Sequence, residues 1–170
     1  MLTETQANRV WERMVEAEVR SLYFADLAHR YTRRKQIIAG ISFFLSSGAA
    51  ATIIAKTPDW VPVCLALVSA IATAYAMAVG LDRYVSGMTK LHYGWNQLAN
   101  AYERLWNHWR DNDAERTLEE LVKQGMDLSE LATEMPYQEK LVDKWRDIVY
   151  ARFRQDEIRQ DAHSNQVSLA

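Results

Sequence analysis

The chain has 170 residues, a formal net charge of −2 and a single cysteine. The near-neutral charge gives no reason to expect direct nucleic-acid binding, and one cysteine excludes a disulfide framework or a cysteine-based zinc site within one chain. The charges are distributed unevenly, because residues 37–55 and 61–81 contain none whereas the flanking segments are rich in Glu, Asp, Arg and Lys. This pattern predicts an all-α protein whose middle is surrounded by lipid and whose ends are in water.

Residues 1–36 are predicted to form an N-terminal amphipathic cytoplasmic helix. Thr3 and Gln6 have the spacing of a capping box, which marks a helix start. Apolar side chains then recur at steps of three and four from Val10 to Tyr31, as they do along one face of a helix. We therefore expect a long helix that leads directly into the first apolar run.

Residues 37–81 are predicted to form a transmembrane hairpin with spans 37–55 and 61–81. At 1.5 Å per residue the two runs are roughly 28 Å and 31 Å long, which is sufficient to cross a hydrocarbon core. The connection KTPDW, residues 56–60, is so short that the two helices must be antiparallel neighbours. The alternative is a buried core of a soluble bundle. Soluble helices of this length normally have a polar face, and neither run has a wide one.

The distribution of basic residues predicts the orientation of the hairpin. Several cations flank the two spans on their outer sides, whereas the connection carries only Lys56. The positive-inside rule then places both termini in the cytoplasm and the connection on the outer side. The flanking cations are Arg30, Arg33, Arg34, Lys35, Arg83 and Lys90.

Small residues recur at four-residue spacing along the predicted spans, and small residues allow membrane helices to approach closely. Some of these faces are expected only to pack the two helices of one hairpin together. Because stripes occur on several sides of only two helices, we also predict a homo-oligomer. The candidate oligomerisation or pore residues are Gly40, Ser47, Gly48, Ala66, Ala70, Ala74, Ala78 and Gly80.

Polar groups in the predicted spans are limited to hydroxyls such as those of Ser46, Ser69 and Thr73. Such hydroxyls bond back to their helix or to a neighbouring helix more often than they line a water path. The spans contain no ionisable side chain of the kind that proton and ion transporters use, so secondary transport is not expected.

Residues 82–160 are predicted to form a cytoplasmic helical region. Because the apolar stepping continues past residue 81 without a strong breaker, we expect the second span to continue as one helix of about 50 residues. Trp95, Tyr102, Trp106 and Trp109 form an aromatic stripe, which is a candidate partner-binding surface. Aromatic residues at helical spacing more often belong to a core.

Two further helices are predicted in this region. A short helix after residue 113 is expected to end at Gly125, and Asp127 with Glu130 resembles a new helix start. Pro136 is typical of the first turn of the last long helix, whose apolar side should pack on the earlier stripes. Residues 161–170 are polar and are predicted to be a flexible tail.

The sequence contains no motif of an enzyme active site. It has no glycine-rich phosphate loop, HExxH, nucleophile elbow or Rossmann fingerprint, so we expect no catalytic residue, no cofactor and no metal. The four histidines are scattered, without a helical partner at ligand spacing, and are predicted to be surface or capping residues. They are His29, His92, His108 and His163.

The order of these parts resembles the SLATT family of bacterial membrane effectors. The resemblance lies in a basic helix ending RYTRRKQIIAG, two spans with a very short turn, and a helical extension, here KLHYGWNQLANAYERLWNHW. It covers nearly the whole chain. It implies an anti-phage effector of abortive infection that breaches the inner membrane when triggered. It also implies a regulatory partner from the same operon, such as a nucleotide-signal synthetase or a retron reverse transcriptase with its nucleic acid.

Two functions therefore remain open at the level of the sequence. The first is a toxic effector that oligomerises and permeabilises the membrane. The second is a non-toxic membrane anchor or scaffold that recruits a cytoplasmic partner through the aromatic stripe.

Overall fold

The computed structural model describes residues 1–54, 58, 60–78 and 80–167, with their side chains except those of residues 49–54, 76 and 156–167. Within this part of the chain the regular secondary structure is entirely α-helical, which confirms the predicted all-α class. The helices are α1 (Glu4–Ile54), α2 (Trp60–Ala78), α3 (Leu81–Asn107), α4 (Ala114–Thr133) and α5 (Glu139–Val167).

The N-terminus of α1 confirms the predicted capping box. The backbone N–H of Thr3 donates to Oε1 of Gln6 at 2.8 Å, and the backbone N–H of Gln6 donates to Oγ1 of Thr3 at 3.3 Å. Two backbone donors that would otherwise lack intrahelical partners are thereby satisfied. The helix then continues for 51 residues, so the predicted boundary between residues 36 and 37 lies inside α1.

The chain forms two compact units. We call Met1–Ala25 with Thr89–Ala170 the bundle unit, and Asp26–Met88 the hairpin unit. Helices α1 and α3 each contribute residues to both. The predicted N-terminal segment 1–36 and cytoplasmic region 82–160 are therefore not separate bodies, because the first 25 residues pack with the C-terminal helices.

The bundle unit has an apolar core to which all four of its helices contribute. Val10 and Val149 are fully buried, and Tyr102 and Leu121 are nearly so. Burying a large apolar side chain contributes about 1.5–3 kcal/mol. The rings of Tyr150 and Phe153 on α5 meet the Trp11 ring edge-on, with centroids 6.5 Å and 6.0 Å apart. The prediction that the last helix packs on earlier ones is confirmed.

The hairpin unit is built from the second part of α1, helix α2 and the first turns of α3. The continuous helix predicted from the second span into the cytoplasmic region is wrong, because α2 ends at Ala78 and α3 begins at Leu81. Gly80 lies between them with φ of 64°, in the left-handed region that glycine adopts without steric strain. Its N–H donates to the carbonyl of Met77 at 3.0 Å and closes the turn.

Three other predicted boundaries are wrong. Pro136 does not lie in the first turn of the last helix, because α5 begins at Glu139. Helix α4 passes through Gly125 and Asp127 to Thr133, and Gly125 lies at a helix contact, where an added Cβ would be 3.4 Å from Leu98. Helix α5 extends to Val167, so residues 161–167 of the predicted tail 161–170 are helical. No glycine or proline interrupts α5, and several of its residues are strong helix formers. Residues 168–170 lie outside the described residues.

None of the helices in the described part of the chain combines the length and the apolar character needed to cross a membrane. The predicted pair of consecutive helices is present, but the description of residues 37–55 and 61–81 as transmembrane spans is not supported by the described helices. The second helix also ends three residues earlier than the span that was predicted for it. Residues 55–57, 59 and 79, which belong to the spans and their connection, lie outside the described residues.

Candidate functional site

Helices α1 and α2 pair through one narrow face each. Two contacts run in opposite directions along the two helices, Ser42 with Ser69 and Gly48 with Leu65, so the helices are antiparallel. The pair of Lys35 with Asp82, at the start of α3, continues the same order. A Cβ added at Gly48 would lie 3.9 Å from Leu65 Cδ1, which is an ordinary van der Waals distance, so Gly48 faces α2 inside the hairpin.

Hydroxyl groups form hydrogen bonds between the two helices at the centre of this face. Ser69, which is 8% exposed, donates from Oγ to the carbonyl oxygen of Ser42 at 3.1 Å. Since that hydrogen is used, Ser46 is the donor in its 3.0 Å bond to Ser69 Oγ. Thr73 donates to the Ser69 carbonyl at 2.9 Å. The prediction that hydroxyls bond to a neighbouring helix or their own is confirmed for these groups.

The remaining faces of the hairpin expose large apolar side chains. We call this set the apolar surface, and its members are 51% to 77% exposed. For comparison, the bundle unit buries most of the apolar side chains along its part of α1. The apolar surface consists of Ile37, Ile41, Phe43, Phe44, Trp60, Val63, Leu67, Val68, Ile71, Tyr75 and Met77.

The predicted small-residue positions fall into two groups. Ala66, Ala70, Ala74 and Ala78 form a stripe along α2 that is exposed and faces away from α1. Gly40 and Ser47 are also exposed on α1, and an added Cβ at Gly40 would meet nothing within 4 Å. Gly48 and Gly80 serve the hairpin itself, one in its interface and the other in the turn after α2. The alanine stripe is therefore available to a second helix.

Aromatic residues mark both ends of α2. Trp60, at its first residue, is 68% exposed. At the other end, beyond the turn at Gly80, the Tyr84 ring meets the Tyr31 ring edge-on with centroids 6.1 Å apart. Helix α2 itself carries no charged residue.

The aromatic stripe lies in the bundle unit, where Trp95 and Tyr102 are 5% and 2% exposed. The guanidinium of Arg20 stacks on the Trp95 ring at 4.7 Å and donates to Ser129 Oγ at 3.1 Å, which ties α1 to α3 and α4. Trp106 and Trp109 are half-buried. The expectation that residues at this spacing belong to a core is confirmed for Trp95 and Tyr102.

A groove of about 270 Å³ lies over the same two aromatic residues. Burial raises the pKa of the Tyr102 phenol, and the neighbouring Arg13 guanidinium opposes this by favouring the phenolate. Among the described side chains, Trp95 Nε1 and Ser42 Oγ are buried without a hydrogen-bond partner. The polar groups of the groove, including Glu16, which pairs with Arg20 at 2.5 Å, mainly bind one another.

Two contacts of the bundle unit were not predicted. Nδ1 of His92 lies 3.1 Å from Ser21 Oγ and 3.0 Å from the Ser21 carbonyl, so this histidine joins α3 to α1 and is not a surface or capping residue. The Tyr23 hydroxyl donates to the Pro136 carbonyl at 3.0 Å and accepts the Gln138 N–H at 3.1 Å. These partners are 71 to 115 residues apart, and no local pattern connects them.

The described side chains contain no group of three or more His, Cys, Asp or Glu residues that could hold a metal ion. No protein-family model, curated protein or solved structure matches the chain. The apolar surface and the alanine stripe of the hairpin unit are therefore the candidate functional site.

Proposed function

We propose that the chain is a non-enzymatic, membrane-embedded effector of a bacterial anti-phage defence system. Its hairpin would lie in the inner membrane with both termini in the cytoplasm. When triggered, copies of the chain would oligomerise and permeabilise the bilayer, which stops growth of the infected cell. The observation that carries this proposal is the exposure of the apolar surface around the hairpin.

The first step of the proposal concerns the medium that surrounds the exposed side chains of the hairpin. Water-soluble monomers rarely expose a contiguous apolar patch larger than about 300–600 Å². Phe43, Phe44 and Met77 alone are each at least 75% exposed, and further apolar side chains extend along both helices. Acyl chains would cover these side chains without a protein partner. This argument depends on the side chains around the pair of helices, since no described helix alone has the required length and apolar character.

The second step is the position of the hairpin along the bilayer normal. Tryptophan and tyrosine concentrate at membrane–water boundaries. Trp60 stands at one end of α2, and the Tyr31–Tyr84 pair stands at the other. The cations Arg33, Arg34 and Lys35 lie between Tyr31 and the apolar surface, within one turn of that pair. Aromatic and basic residues therefore occur together at the end of the hairpin that is opposite the connection, which supports insertion with the connection on the far side of the membrane.

The third step is assembly. Apolar side chains do not drive helices together in lipid, so membrane helices associate through close packing of small residues. The alanine stripe on α2 is exposed and does not contribute to the hairpin interface. In addition, Ser46, Ser69 and Thr73 use their hydroxyls within the hairpin, so they offer no path for water through one chain. A leak would therefore form between copies of the chain.

The resemblance to SLATT effectors supports the biological role and a regulatory partner from the same operon. The bundle unit would receive the signal and restrain assembly until the signal arrives. The competing anchor or scaffold function depends on the aromatic stripe as a docking surface. Because Trp95 and Tyr102 are buried in the bundle core, the anchor or scaffold function has less support than the effector function.

Controlled expression of the full chain in bacteria, with and without its gene neighbours and their trigger, tests this function. We expect loss of membrane potential and arrest of growth. Ile71→Glu should abolish both effects, because a charged side chain near the centre of a bilayer is strongly disfavoured. Glu119→Gln, on the exposed face of α4, is the control and should leave both effects unchanged. Normal potential and growth at high expression with the trigger present would contradict the proposal.

A further inference from the structure

Four cations lie within six residues of α1, just before the apolar surface begins. Two are already neutralised inside the protein: Arg30 binds both carboxylate oxygens of Asp26, at 3.0 Å and 3.3 Å, and Lys35 pairs with Asp82. Arg33 and Arg34 are exposed, and within the described part of the chain neither forms an ion pair. The four charges are therefore not equivalent, and only Arg33 and Arg34 have uncompensated guanidinium groups.

These two arginines are positioned by the helix. Arg33 and Arg34 precede Ile37 by four and three residues, so all three side chains project from neighbouring turns of one face. Ile37 is 51% exposed and begins the apolar surface. The Arg34 guanidinium lies 5.4 Å from the centre of the Tyr31 ring, which itself contacts Tyr84. An aromatic pair thus holds one cation at the height where charged residues end and apolar residues begin.

We propose that Arg33 and Arg34 bind the phosphate groups of anionic phospholipids in the cytoplasmic leaflet. The proposal rests on the proposed insertion of the hairpin in a membrane. Guanidinium groups bind phosphate oxygens in a bidentate manner, which a lysine cannot do. The carboxylates in the described part of the hairpin unit, those of Asp26 and Asp82, are each paired with another cation. The acyl chains of the bound lipid would then lie along Ile37 and Ile41.

The expected effect is a preference for anionic over zwitterionic lipid. One basic residue near a membrane surface corresponds to roughly a fivefold preference, and the effect decreases with ionic strength. The preference should depend on Arg33 and Arg34 and not on the other two cations of the same segment. This separates a specific headgroup site from a general effect of positive charge.

The full chain can be reconstituted into phosphatidylcholine vesicles at low ionic strength with a trace of spin-labelled phosphatidylglycerol or spin-labelled phosphatidylcholine. Electron paramagnetic resonance then measures the motionally restricted fraction of each lipid, and hence their relative association constants. We expect several-fold stronger association of phosphatidylglycerol. The double variant Arg33→Gln/Arg34→Gln should lose most of this preference.

Two control variants complete the experiment. Lys35→Gln/Asp82→Asn removes the neighbouring ion pair without changing the net charge, and Arg9→Gln/Lys123→Gln removes two exposed cations of the bundle unit. Both should keep the preference. The inference is overturned if Arg33→Gln/Arg34→Gln retains it, or if Arg9→Gln/Lys123→Gln loses it equally. Restricted signals of equal strength for both lipids overturn only the headgroup site, whereas no restricted signal for either lipid overturns membrane insertion as well.

Discussion

The Ser69 hydroxyl donates a hydrogen bond to the backbone carbonyl oxygen of Ser42, 3.1 Å away, and so joins α2 to α1. Polar bonds between helices in a membrane contribute about 0.6–1.7 kcal/mol. Ser69→Ala should therefore lower the free energy of unfolding by about 1 kcal/mol, measured by denaturant titration in detergent micelles. Thr73→Ala is the matched control, because the hydrogen bond described for the Thr73 hydroxyl lies within α2, to the Ser69 carbonyl. Equal losses for the two variants would show that the bond between the helices is not stabilising.

The turn at Gly80 gives a second prediction. Gly80 and Gly40 both have open space where a Cβ would be added, but only Gly80 has a positive φ, of 64°. Gly80→Ala should destabilise the chain by about 1–2 kcal/mol, because L-residues are strained in the left-handed region. Gly40→Ala, inside α1, should stabilise it by about 0.5–1 kcal/mol. Thermal unfolding measures both, and the same sign of change for the two variants would contradict the proposed role of the turn.

Burial of Tyr102 predicts how stability depends on pH. Because burial raises the pKa of its phenol, the folded chain holds this proton at pH values where the unfolded chain has lost it. The contribution is complete below about pH 10, the unperturbed value, and is lost as the pH rises through the folded pKa. Tyr102→Phe should flatten the decline of stability above pH 10. Tyr93→Phe, at an exposed position, should leave the decline as it is, and a similar effect of both variants would refute this assignment.

Assembly through the alanine stripe predicts a clear difference between two faces of α2. Ala70→Leu/Ala74→Leu fills the surface on which a second helix would pack, and overpacking disfavours an interface by about 1–3 kcal/mol. Oligomer dissociation constants should rise about tenfold or more, and toxicity should fall. Val68→Leu/Ile71→Leu is the control, because these positions already carry large exposed side chains. Cross-linking in membranes measures the oligomer, and an equal effect of the control would place the interface elsewhere.

Local patterns were sufficient to predict several parts of the fold. The capping box at Thr3 and Gln6 requires only residues three apart, and the pairing of α1 with α2 follows from their short connection. The core position of Trp95 and Tyr102 follows from helical spacing. In each case the information lies within a few turns of one helix or within one turn between two helices.

Other parts depend on tertiary contacts that a single sequence does not reveal. Gly80 interrupts the helix after α2, whereas Gly125 lies inside α4 against Leu98. Both are glycines in helical surroundings, and only the partner across the contact distinguishes them. Likewise, the pairing of Ser21 with His92 joins residues 71 positions apart. The unequal roles of Arg33 and Lys35 appear only once Asp82 is placed beside the lysine.

The proposed contact of the hairpin with lipid can be tested directly at Ile71, which is 61% exposed and lies about 16 Å along α2 from Trp60. Since Cys64 is the only cysteine, Ile71→Cys in a Cys64→Ser background takes one nitroxide label. In reconstituted membranes we predict high accessibility of this label to oxygen and low accessibility to a water-soluble nickel chelate. A label at Glu119→Cys in the same background should show the reverse. Accessibility of position 71 to the nickel chelate equal to that of position 119 would contradict the account.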